Sequence, residues 1–146
     1  MERIAIIDLG SNSVRFVIMH IESDGAYKLV YQEKKGIRLS EGMTENHMSL
    51  TEAAQERALS CMRVYAHMAS VHHITHMIAV ATAAVRNAVN GNNFLSRVQQ
   101  ETGIPLKVIT GKQEAELGYR GVVNTINETD FIMFDLGRCQ YRNFTD

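Results

Sequence analysis

Three short stretches of this chain hold the side chains best suited to chemistry, and all three suit an anion. The first is Asp8-Leu9-Gly10-Ser11-Asn12-Ser13, set between the apolar run Ile4-Ala5-Ile6-Ile7 and a second one over residues 14–21. A strand over 4–9 would deliver Asp8 to the carboxyl end of a sheet, the edge where α/β proteins place ligands. Gly10 lets the backbone turn and come close to an anion, while Ser11, Asn12 and Ser13 offer hydroxyl, amide and backbone N–H donors. An acid followed by donors suits a metal-phosphate pair: the carboxylate holds a hard cation and the donors hold phosphate oxygens. The same residue types also make an ordinary hairpin turn, so this stretch alone leaves both readings open.

The second stretch, Ala81-Thr82-Ala83-Ala84-Val85-Arg86, places Thr82 at a strand end. Arg86 follows four residues later, in the first turn of a helix whose dipole favours anions. Its planar fork suits a phosphate, although an isolated helix arginine is more often just solvated. The third, Ile109-Thr110-Gly111-Lys112-Gln113-Glu114-Ala115-Glu116, puts two acids at a helix start. Side chains two apart on a helix point in different directions, so Glu114 and Glu116 cannot both face one site. One of them would serve as a general base for water and the other would be solvated. Acids also favour helix N-termini for electrostatic reasons alone.

These residues need elements to hold them. Apolar runs and turn signals predict strands over 4–9, 14–21 and 27–37, with Ser23-Asp24-Gly25 turning the chain between the last two. Short turns imply antiparallel neighbours. From Thr51 the period changes: Ala54, Ala58, Met62, Tyr65 and Met68 share one helical stripe, with Ser49 or Thr51 as N-cap and an end near Ser70. Residues 77–81 then read as a strand, 82–88 as a loop entering a short helix, and 92–102 as a helix closed by Gly103 and Pro105. A strand over 106–110, a helix over 112–123 and a strand over 131–134 ending at Asp135 complete the pattern. Hairpins followed by alternating strands and helices predict an α/β domain with a mixed sheet.

Composition narrows the class. With 146 residues, 45% hydrophobic content and a formal charge of -1, the chain has the size of a single globular domain. No apolar run approaches the roughly 18 residues of a membrane span, and no signal-peptide pattern precedes the first strand, so a cytoplasmic protein without a membrane partner is expected. Near-neutral charge argues against a nucleic-acid partner, which calls for a strongly basic face. Cys61 and Cys139 form neither a disulfide framework nor a zinc spacing. His72, His73 and His76 lack an acid or cysteine to complete a metal set and read as a solvated connection.

Taken together, the chain resembles the Ppx/GppA family of exopolyphosphatases and guanosine pentaphosphate phosphohydrolases. That family sits in the ribonuclease H-like superfamily of actin, Hsp70 and the sugar and acetate kinases. The resemblance is carried by Asp8-Leu9-Gly10-Ser11-Asn12-Ser13 with Arg15, Ala81-Thr82-Ala83-Ala84-Val85-Arg86 with Ala88 and Asn90, Gly111-Lys112-Gln113-Glu114-Ala115, and Asp135-Leu136-Gly137, in the family's order. Arg38-Leu39-Ser40-Glu41-Gly42-Met43 also looks like the family's segment before its long helix.

The resemblance implies roles. Asp8 and Asp135 would hold a divalent cation, magnesium. Gly10, Ser11, Asn12 and Ser13 would form the first phosphate loop and Gly137 part of a second. Arg86, with Thr82 nearby, would contact the phosphate chain. Glu114 would activate the attacking water, because it occupies the family's position before Ala115. The implied ligand is inorganic polyphosphate or guanosine penta- or tetraphosphate, and an intact family member would be a homodimer. Residues 1–130 would be the N-terminal domain and 131–146 the start of a second.

After Gly137 the resemblance fails. Arg138, Tyr141 and Phe144 stand where the family turns on glycines, and side chains there block close approach of backbone amides to an anion. Such a tail reads as a truncated or frameshifted product. A half-site open to water weakens each electrostatic contact, so residues 1–146 by themselves are expected to have little or no hydrolase activity. Two other classes stay in view: an ATP-dependent kinase or ATPase of the same superfamily, and a non-catalytic module that binds guanosine tetra- or pentaphosphate.

Overall fold

A computed structural model gives the architecture, and the described residues are 1–124. Strands β1 (Glu2–Leu9), β2 (Ser13–Ile21) and β3 (Tyr27–Gly36) come first, joined by short turns and paired antiparallel as the turn signals predict. Helix α1 (Glu52–Val71), strand β4 (His76–Ala81), helices α2 (Ala83–Asn87) and α3 (Gly91–Thr102), strand β5 (Leu106–Val108) and helix α4 (Gly111–Val123) follow. Among the described residues the sheet has the order β3-β2-β1-β4-β5. β4 runs parallel to β1 and β5 parallel to β4, so β2 is the strand that opposes the rest. This is the mixed α/β sheet of a ribonuclease H-like domain.

Alternation fixes which face is covered. Ala5, Ile7 and Leu9 of β1 and Val14, Phe16 and Ile18 of β2 are buried beneath the helices, while Asp8 and Arg15 lie on the opposite face. The stripe foreseen on α1 is the buried one: Ala54, Ala58, Met62 and Tyr65 point inward, and the Tyr65 ring stacks on Phe16 at 4.3 Å. Burial of each large side chain of this kind contributes about 1.5–3 kcal/mol. Thr51, not Ser49, caps α1, its side chain accepting from the Ala54 N–H at 3.1 Å. Arg97 of α3 pairs with Glu52 and Glu56 of α1 and with Glu101 of its own helix, which ties the two helices together across the surface. Among the described residues strand β3 forms an edge, and the charged Lys28, Lys34 and Lys35 guard it.

Several elements start one or two residues earlier than the sequence reading has them, and two strands end sooner. The strand expected over 106–110 stops at Val108, because Thr110 opens α4 with a reciprocal cap. The Thr110 N–H donates to Gln113 Oε1 at 2.8 Å and the Gln113 N–H donates to Thr110 Oγ1 at 3.1 Å. Strand β3 ends one residue before Ile37, whose N–H turns away to the Asn12 carbonyl. The strand expected over 131–134 and the domain boundary at 130 lie outside the described residues.

Candidate functional site

Three parallel strands end side by side. Leu9 pairs with Ala81 and Ala81 with Val108, so the chain leaves β1, β4 and β5 at one edge of the sheet. From there run the Gly10-Ser11-Asn12-Ser13 loop, α2 and α4, which bring the three chemistry-bearing stretches to a common rim. Convergence at carboxyl ends is what makes such edges ligand sites.

The loop is braced by its own backbone bonds and leaves two of its amides unspent. The Gly10 N–H donates to the Ser13 carbonyl at 2.9 Å, and a Cβ at Gly10 would sit 3.1 Å from that oxygen, so only glycine fits without crowding. Segment 37–40 takes up the outward carbonyls: Ile37 and Arg38 N–H groups donate to Asn12, and Ser40 N–H donates to Ser11 at 3.0 Å. Among the described residues the Ser11 and Asn12 N–H groups have no acceptor. A loop with carbonyls tied back and amides unspent is suited to an anion.

Arg86 and Glu114 come together although 28 residues separate them. Arg86 Nη1 donates to the Ile109 carbonyl at 2.8 Å and lies 3.5 Å from Glu114 Oε2. Arg86 Nε is buried and has no acceptor among the described residues. With Nη1 held and Nε buried, the guanidinium keeps Nη2 for a ligand. The sequence reading of Arg86 as a first-turn residue needs correction: α2 is only five residues long and Arg86 lies in its last turn. Thr82 is the N-cap and extended Ala88 ends the helix, so no long dipole stands behind Arg86. The pair of acids is resolved as expected for residues two apart. Glu114 faces Arg86, whereas Glu116 pairs with Arg120 one turn on at 2.8 Å in solvent.

Thr82 is 7% exposed, with its hydroxyl 3.5 Å from the Leu9 carbonyl and its own N–H bonded there at 3.2 Å. It fastens α2 to the end of β1. Asp8 stands at the same edge but among the described residues forms no ion pair with Arg86; in the strand register it faces Arg15, which in turn faces Lys34. Loss of solvation on burial pushes the Asp8 carboxyl above its ordinary value, and the Arg15 guanidinium pulls the other way. Asp135 and Gly137 lie outside the described residues.

The sequence reading missed the groups that hold these residues in place. The Ile109 carbonyl steadies Arg86, and the Thr110 to Gln113 cap sets the start of α4; the latter was visible as a Thr-x-x-Gln pattern. Asn90 brackets Leu50, accepting from its N–H at 2.8 Å and donating to its carbonyl at 3.0 Å. No local pattern announces a bracket spanning 40 residues.

Residues 17–138 match the model of the Ppx/GppA phosphatase family. Among solved structures, an Aquifex aeolicus Ppx/GppA family member is 31% identical with a TM-score of 0.80, covering 87% of this chain and 41% of its own. An exopolyphosphatase from Cytophaga hutchinsonii is 34% identical with a TM-score of 0.79, over 84% of this chain and 39% of its own. The chain thus spans about two fifths of the length of these solved relatives.

Proposed function

Because the chain belongs to the Ppx/GppA phosphatase family, we propose that residues 1–124 form the first phosphate-binding wall of a phosphoric anhydride hydrolase. Its substrate is the terminal phosphate of inorganic polyphosphate or of guanosine pentaphosphate. The observation that carries this reading is the Arg86 to Glu114 approach at 3.5 Å on the rim that also bears the 10–13 loop. The exopolyphosphatase among the solved relatives supports the polyphosphate choice.

In this reading Gly10 shapes the turn, the donors of Ser11, Asn12 and Ser13 hold phosphate oxygens, and the Arg86 guanidinium closes on the same group. Thr82 keeps α2 in register with β1. Glu114, released from Arg86 when phosphate arrives, accepts a proton from a water aligned with the terminal phosphorus. The P–O bond to the leaving phosphate breaks as the new one forms, and most of the acceleration comes from positioning and charge neutralisation.

Magnesium is the proposed cation. It binds through one or two carboxylates plus phosphate oxygens and water, and Asp8 at the strand end fits the first of these; Asp135 is proposed as the second. Bound there, the ion would offset charge developing on the phosphate oxygens. The chain is proposed to act in the cytoplasm; among the described residues no helix is long and apolar enough to cross a membrane.

Polyphosphate binding to residues 1–146 tests the site. Arg86→Ala should weaken it about tenfold or more, and Glu114→Gln should leave it intact. In a full-length relative, Gln at the matching position should slow phosphate release by about 10²–10⁴-fold, and unchanged release would refute the base role. Residues 1–146 alone are expected to hydrolyse slowly, since Arg86 and Glu114 keep 20% and 26% of their side-chain surface in solvent. Turnover equal to that of a full-length relative would defeat this expectation.

A further inference from the structure

A guanidinium that the phosphate reading leaves unused stands behind the 10–13 loop. Arg57, in the second turn of α1, donates from Nε to the Ile37 carbonyl at 2.7 Å and from Nη2 to the Arg38 carbonyl at 2.9 Å. The acid nearest it, Glu41, lies 3.8 Å from Nη2 and is itself 3.1 Å from Arg38. Glu41 keeps 51% of its side chain exposed, and an ion pair that long and that open contributes little. The short bonds of Arg57 are to backbone.

Those bonds reach the loop through a single peptide unit. The Ile37 carbonyl and the Arg38 N–H belong to the same peptide, and in a trans peptide the two point in opposite directions. Arg57 holds the carbonyl side, while the N–H side donates to the Asn12 carbonyl at 2.9 Å. The Ile37 N–H donates to that same oxygen at 2.9 Å. Two successive N–H groups thus converge on one acceptor, with Arg38 in the left-handed region at φ 48°. A non-glycine residue stays in that costly conformation when its surroundings hold it there, and the Arg57 fork does so on both of its flanking carbonyls.

The same segment aims a free donor. The Ser40 N–H, two residues beyond Arg38, donates to the Ser11 carbonyl at 3.0 Å. That carbonyl shares its peptide with the Asn12 N–H, so tying it back turns the Asn12 N–H the other way. The Asn12 N–H is one of the two loop amides without an acceptor among the described residues. Only a planar fork serves two carbonyls at once, and a charged donor at the head of a row of hydrogen bonds strengthens those that follow.

We infer that Arg57 is a positioning residue for the phosphate loop: its guanidinium fixes the 37–38 peptide, and segment 37–40 then sets the loop so that the Asn12 N–H meets an anion. With Nε and Nη2 committed to backbone, Arg57 acts through the loop and not on the ligand. The inference rests on the phosphate reading of the 10–13 loop.

Calorimetric titration of residues 1–146 with tripolyphosphate and magnesium, alongside amide NMR spectra of the ligand-free chain, tests it. Arg57→Met keeps the stem and removes the fork. At a temperature where circular dichroism shows it folded, affinity should fall about tenfold, as for loss of one hydrogen bond to a charged group. Its ligand-free Asn12 amide signal should move or broaden; an arginine that only stabilised the fold would lower Tm and leave both readings unchanged. Arg57→Lys keeps the charge but serves one carbonyl, so it should recover part of the Tm and little of the affinity. Glu41→Gln removes the 3.8 Å ion pair and should leave affinity unchanged. Parent-like affinity in folded Arg57→Met overturns the positioning role and leaves the phosphate loop standing. So does lost affinity with an unmoved Asn12 signal, parent-like binding by Arg57→Lys, or a Glu41→Gln chain that binds as weakly as Arg57→Met. Should Arg57→Met not fold, the Arg57→Lys titration decides by itself. A parent chain that does not bind tripolyphosphate overturns both readings.

Discussion

Gly91 offers a sharp test of how α2 is held. It is the first residue of α3, and a Cβ built there would lie 2.3 Å from the Val85 carbonyl oxygen, 0.7 Å inside the 3.0 Å limit that real Cβ atoms respect. The obstacle is backbone, so no side-chain rotation relieves it. Gly91→Ala must push α2 and α3 apart, and overpacking of this kind costs about 1–3 kcal/mol. For a chain of this size a loss of about 2 kcal/mol lowers Tm by about 6–8 °C. The displaced carbonyl belongs to the residue before Arg86, so the Arg86 bond to Ile109 should loosen and polyphosphate affinity should fall with stability. Thermal melting followed by circular dichroism, with polyphosphate titration on the same samples, reads both effects. Gly36→Ala is the control: among the described residues no atom lies within 4 Å of a Cβ built there, and melting should be unchanged or slightly raised. A Gly91→Ala chain that melts like the parent would refute the argument.

Asp8→Asn should raise Tm at neutral pH. The folded carboxyl titrates above its ordinary value, so the fold holds a proton that the unfolded chain gives up; stability falls as pH rises through that window, and the penalty is fully present at pH 7. A lower Tm at pH 7, or an equal gain well below the ordinary carboxylate range, would contradict this. Arg97→Met should lower Tm, and the loss should shrink in high salt and in acid. Hydrogen bonds from Arg97 and then Arg63 hold the Glu101 carboxyl below its ordinary value, so its stabilisation is present above that value and vanishes as pH falls through the lowered one. A Tm deficit that is independent of salt and pH would show that packing, not charge, joins α1 to α3. Thr110→Val should cost about 1 kcal/mol of cap energy, seen as roughly fivefold faster amide exchange at Gln113, whose N–H the hydroxyl now holds. Unchanged exchange would mean that the cap does not fix the start of α4.

The amino-acid order alone determined whatever depends on neighbours in sequence. Period-two and period-3.6 apolar patterns marked the strands and α1, Ser23-Asp24-Gly25 marked a turn, and Gly103 with φ 73° ends α3 as a C-cap glycine does. Thr110 was misplaced in a strand because a β-branched residue after an apolar run reads as strand until its reciprocal bond with Gln113 is seen. Spacing on a helix showed that Glu114 and Glu116 must part, but not which would meet Arg86. Only the parallel register of β1, β4 and β5 set the ends of three strands beside one another and brought Arg86 to Glu114 across 28 residues. The length of α2 and the orientation of Thr82 toward Leu9 were likewise decided by tertiary context. The reason is physical: propensity, capping and amphipathic period act over a few residues, whereas the meeting of distant side chains depends on how strands pair, and pairing leaves no mark in any single segment.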